Sequence, residues 1–182
     1  MKKILFLLLL LPVLNSLQSC NQTSPEDALM RSVINSNILF GFAADPWQRE
    51  FEQPGVKLTD ANTGASAPMK RKEIWEYKSA NIEDAYKKVK NIVKNDDNSE
   101  MISASLALFE YVLPVINNEY KELASLYDSQ ASADKIIALE QQISTKYNAG
   151  FNARHQSLVE AGKKFAAKHK IRVQWDVNTS PE

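Results

Sequence analysis

Two histidines, one cysteine and scattered carboxylates are the side chains of this chain that could hold a metal, supply a nucleophile or move a proton. His155 and His169 stand fourteen residues apart on one predicted helix, too far to share an ion. Neither completes the Glu-x-x-His pair that di-iron helical proteins use. The sequence contains no His-Glu-x-x-His and no paired-cysteine zinc spacing. A serine or cysteine triad would have to be built on one of these two histidines. The strained Gly-x-Ser-x-Gly turn is missing, as are the glycine-rich loops that cradle phosphate. Neighbouring carboxylates such as Glu83 with Asp84, or Asp96 with Asp97, point apart on a helix. At helix starts they ordinarily serve caps and the macrodipole. The expectation is a protein without catalytic residues, metal or cofactor, and not an enzyme.

Cys20 is the one thiol, and its surroundings give it a different role. Lys2 and Lys3 precede an apolar run from Ile4 to Leu14, broken only by Pro12, and Asn15 to Ser19 form a short polar exit. That run is shorter than the roughly 20 apolar residues a membrane-spanning helix needs. Leu17-Gln18-Ser19-Cys20 resembles the lipobox of bacterial lipoprotein signal peptides, with Leu17 at the aliphatic position and small Ser19 before the cut. The resemblance implies residues 1–19 as signal peptide and Cys20 as the site of lipid attachment, acylated with palmitate-type chains, within a tether of residues 20–24. Each buried methylene adds about 0.8 kcal/mol, so several chains anchor firmly. By the same resemblance Asn21 after the cysteine implies the outer rather than the inner membrane of the cell envelope. An ordinary secretory signal would instead leave a free thiol, which invites pairing between chains in an oxidising compartment.

Beyond the signal the charge is nearly balanced. The first nineteen residues hold two lysines and no acid, which leaves 20 Lys+Arg against 22 Asp+Glu. Such a chain has no bulk electrostatic attraction for nucleic acid. With no second cysteine, packing rather than disulfides must hold residues 25–182 together as a single helical domain.

Ser24-Pro25-Glu26-Asp27 reads as a helix start, with a capping hydroxyl, proline at the first helical position and acids in the first turn. Leu29, Val33, Ile34, Ile38 and Phe42 then predict a helix fading near Ala44. Asp45-Pro46-Trp47 repeats the cap-then-proline pattern for a short second helix. Residues 54–70 lack helical periodicity and read as a loop, either functional or a mobile connection. A helix is predicted from Lys72 to about Lys94, open to a break at Asn81–Asp84. Asp97 and Glu100 fit a capping box before a long helix that carries Pro114 in its middle. Proline cannot donate to the carbonyl of Glu110, so the helix must bend or unwind there. The last helix runs from near Ser132 to about Lys168, and the short link at 128–131 makes the final two helices antiparallel neighbours. Gly150 and Gly162 would let a neighbour approach closely.

Ile171, Val173, Trp175 and Val177 alternate at strand spacing. The segment needs a partner, and Val56–Thr59 is the best candidate within the chain. The alternatives are a tail laid over the helices with Trp175 in a groove, or a strand donated to another protein. The basic run Lys163, Lys164, Lys168, Lys170 and Arg172 complements a helix C-terminus and could also touch anionic lipid. The expected fold is all-α: an antiparallel bundle of three to four main helices with a short extended C-terminal segment. The expected function is that of a membrane-anchored binding or assembly module for a protein or envelope component, with Trp47, Trp75, Tyr77 and Trp175 as candidate partner contacts. The alternative is an envelope enzyme or small-ligand carrier with a pocket near Pro114 or under residues 54–70.

Overall fold

The computed structural model describes residues 23–53 and 55–175. Cys20 and Val177 lie outside these residues. Among them the chain is mostly helical, with five helices and a small two-stranded sheet.

Helix α1, Pro25–Ser32, starts as its sequence demands: the Ser24 hydroxyl accepts from the Asp27 amide at 3.2 Å, and Glu26 and Asp27 occupy the first turn. It stops earlier than expected. Ile34–Leu39 is a 3₁₀ turn, because Asn35, Ser36 and Asn37 offer side-chain hydrogen bonds that compete with the α-helical ladder. The Ser36 hydroxyl donates to the Val33 carbonyl at 2.6 Å. The chain then reverses through Gly41 (φ 84°) and Ala43 (φ 55°). Ala43 is pinned from both sides: its amide donates to the Tyr120 hydroxyl at 2.9 Å, and its carbonyl accepts from the Asn148 side chain at 3.1 Å.

Helix α2, Asp45–Glu52, buries Trp47 and Phe51; its cap position is Ala44, so Asp45 is the first helical residue rather than the cap. The segment read as a loop contains an antiparallel hairpin, β1 Val56–Asp60 and β2 Ala65–Pro68, with Val56 opposite Pro68 and Leu58 opposite Ser66. Asp60 nucleates the turn: its carboxylate accepts from the Asn62 amide at 2.8 Å, and Gly64 (φ 71°) closes it. Among the described residues β1 therefore pairs with β2 and not with the C-terminal segment. Residues 171–175 form no strand; they lie extended over the helices, with Val173 and Trp175 packed against the core. A Cβ on Gly162 would meet Val33 at 2.8 Å and Trp175 at 3.2 Å, so this glycine does allow the close approach.

Helix α3, Arg71–Lys90, runs unbroken through Asn81–Asp84 and turns Trp75, Ile82, Ala85 and Val89 inward. Its first amides are capped from far away in sequence. The Asp128 carboxylate accepts from Arg71 and Lys72 at 2.8 and 3.0 Å. Helix α4, Ser99–Asp128, is α-helical to Val115, π-helical over Ile116–Tyr120 and α-helical again from Lys121. Pro114 cannot donate to the Glu110 carbonyl, and the wide turn begins two residues beyond it. It is apolar and long enough to cross a membrane, yet Leu108, Phe109, Val112, Ile116 and Leu123 are wholly buried in the protein core. The expected capping box fails: Asn98 holds the cap position without a side-chain bond into the helix, and Asp97 turns to the last helix instead.

Helix α5, Ala133–His169, ends on Lys170 in the left-handed conformation. It runs antiparallel to α4, since Glu100 meets Lys164, Tyr111 meets Tyr147, and Tyr127 meets Glu140. Gly150 admits Tyr111, whose hydroxyl would lie 2.3 Å from an added Cβ.

Candidate functional site

Trp47 and Trp75 are 1% and 4% exposed, so these two of the four candidate contact residues are core rather than surface. They belong to one aromatic cluster: Trp75 stacks on Tyr120 at 4.7 Å, and Trp47 meets Tyr120 edge-on at 5.1 Å and Phe42 at 5.3 Å. Each polar tip in it has a hydrogen-bond partner. The Trp47 indole donates to the Phe40 carbonyl at 2.7 Å, and the Trp75 indole to the Ile116 carbonyl at 3.0 Å, in the π turn. Burial pushes the Tyr120 hydroxyl far above its ordinary range, and it accepts the Ala43 amide. The Lys78 ammonium stands 4.1 Å over the Trp47 ring and pairs with Glu50 at 2.6 Å. Burial pulls it down, while Glu50 opposes that shift. This arrangement locks α2 onto α3 and presents no free nucleophile.

The other polar pairs are likewise joints between elements. Tyr127 donates to Glu140 at 2.8 Å, with burial raising both groups, and the Arg71 guanidinium lies 5.6 Å above the Tyr127 ring. Tyr147 donates to Glu119. His155 is half buried, stacks on Phe151 at 5.8 Å and is pulled down by burial. His169 lies 2.5 Å from Asp97, which Lys168 also contacts; Lys168 first and His169 second hold that carboxyl below its ordinary range. Among the described residues no group of three or more His, Cys, Asp or Glu side chains is placed to hold a metal.

The two suggested pocket positions differ. Beside the π turn, between α3 and α4, a groove of about 220 Å³ has Lys72, Glu76, Glu83 and Lys121 on its rim and Trp75 and Ala124 at its floor. At the base of the hairpin, the space beside Phe51, Arg71 and Trp75 is about 10 Å³, which suits one water at most.

What remains exposed is informative. Tyr77 is 73% exposed, while Trp175 is half buried beneath Lys163, whose ammonium lies 5.9 Å from the ring. Val56 and Leu58 are 68% and 66% exposed on one face of β1. Lys57 binds Glu73 in the first turn of α3 at 2.9 Å, and Tyr77 is one helical turn beyond Glu73 on the same face. Tyr77 was a candidate contact from the sequence; exposed Val56 and Leu58 were not, although the Asp60-Ala61-Asn62-Thr63-Gly64 turn marked a hairpin. No protein-family model matches the chain, and neither the curated proteins nor the solved structures contain a match to it.

Proposed function

We propose that the chain is a lipid-anchored helical bundle of the bacterial cell envelope, a non-enzymatic module that binds or assembles a protein or envelope component beside the membrane. The observation that carries this reading is the junction between lipobox and fold. Ser24, the cap of α1, stands four residues past Cys20, so a lipid on Cys20 would hold the folded domain against the bilayer. Helix α3 has 20 residues and rises about 30 Å, with the hairpin at its start. Exposed Val56, Leu58 and Tyr77 would then lie toward the end of α3 far from the anchor, where a partner can reach them.

Two measurements test it. Cys20→Ser should release the protein to the soluble fraction or leave its signal uncut; unchanged membrane association sinks the anchor. A photo-crosslinking residue at Leu58 or Tyr77 should trap a specific partner in intact cells, with Lys135 as control; trapping at the control alone sinks the module. The groove beside the π turn favours the second reading, a small-ligand carrier or enzyme. A small molecule retained by the purified protein and lost on Lys121→Glu would support that reading.

A further inference from the structure

The position of the anchor defines which end of the domain meets the bilayer, and that end has a chemistry of its own. Thr23, Ser24 and Pro25 line one cleft with Asn95, Asp97 and His169. The start of α1, the α3–α4 connection and the C-terminus of α5 therefore share one end of the molecule. From Cys20 to Thr23 is three residues, a reach of at most about 10 Å. That is close to the Debye length of about 8 Å at physiological ionic strength, so charges here act on the headgroups.

Five acids belong to these segments: Glu26, Asp27, Asp96, Asp97 and Glu100. Three are engaged within the protein, Asp27 by Arg31, Asp97 by Lys168 and His169, and Glu100 by Lys164. Lys94 makes one side-chain bond, to the Ser103 hydroxyl at 3.2 Å, and it is exposed. Lys170 and Arg172 are exposed and have no ion pair among the described residues. Helix-end electrostatics account for Lys170, the C-cap of α5, but not for Lys94, four residues past α3, or Arg172 in the C-terminal tail, since the macrodipole effect fades within the last turn. Val93, beside Lys94, is 66% exposed.

We propose that this end of the domain lies on the membrane, with Lys94, Lys170 and Arg172 on the headgroups of acidic phospholipids and Val93 among them. The proposal rests on the lipid anchor at Cys20 and adds an orientation and a lipid class to it. An acidic surface stabilises the ammonium form of a lysine held near it, so the fraction of reactive free amine falls there.

The test uses the full lipidated protein floated with vesicles of phosphatidylcholine alone or mixed with phosphatidylglycerol, labelled by a water-soluble acetylating reagent and read by peptide mass spectrometry. Acetylation of Lys94 and Lys170 should slow about fivefold in the acidic vesicles, while Lys121 and Lys135 stay unchanged. High salt should remove the difference. Equal labelling in both vesicle types, with the protein floating, overturns the proposal and leaves the anchor standing. A protein that does not float overturns the anchor and the orientation together. Protection seen only in native membranes overturns the proposal in favour of an acidic protein partner at this end.

Discussion

His155, half buried against Phe151, couples stability to pH. Burial lowers its proton affinity in the fold, so between that lowered value and its ordinary one near 6.5 the unfolded chain holds a proton that the folded chain does not. Its contribution is fully present above about pH 6.5 and lost as pH falls. His155→Phe should therefore flatten the pH dependence of the urea midpoint over that window; an unchanged slope would remove His155 as its source. Asp97 acts in the same direction at lower pH, because Lys168 and His169 depress its carboxyl. Trp75 tests the π turn. Trp75→Phe leaves the Ile116 carbonyl without its indole donor, which should cost roughly 1–3 kcal/mol in equilibrium unfolding. Indole burial was foreseeable from helical spacing, but the carbonyl it serves was not, since a π turn exposes a partner that no propensity encodes.

At the scale of elements, two joints decide where helices begin. Gly41 turns the chain into α2 with φ 84°, and an added Cβ would lie 2.6 Å from Pro46. Gly41→Ala should cost about 2–3 kcal/mol, from the left-handed backbone plus overpacking against a rigid ring. Asp128 caps α3 through two amides, so Asp128→Ala should cost about 1–2 kcal/mol, with amide exchange increasing first at Arg71 and Lys72. The start of α1 was legible because its cap bond spans three residues. The start of α3 was placed within one residue, at Lys72 against Arg71, but its partner Asp128 was not legible, since it comes from 57 residues away. Proline 114 announced a distortion, and packing chose a π turn over a simple kink.

Across the whole molecule, the hairpin and the helices carry different duties. Residues of β1 and β2 are nearly all exposed, so they add little burial energy to the fold. Replacing 56–68 with a short Gly-Ser link should shift the thermal midpoint by less than about 2 °C while abolishing crosslinking at Tyr77; a large loss of stability would instead make the hairpin structural. The sequence by itself determined the helices and the antiparallel run of the last two. Those follow from apolar spacing and turn length, and their signals lie within a few residues of one another. It also contains Leu17-Gln18-Ser19-Cys20, the local tetrapeptide on which the proposed anchor rests. Only the tertiary structure decided that Asp97 serves α5 instead of capping α4, that Asp128 caps α3, and that Trp47 and Trp75 are core while Tyr77 is surface. Ion pairing, long-range capping and burial depend on which distant residue arrives opposite, and that is settled by packing all the helices at once.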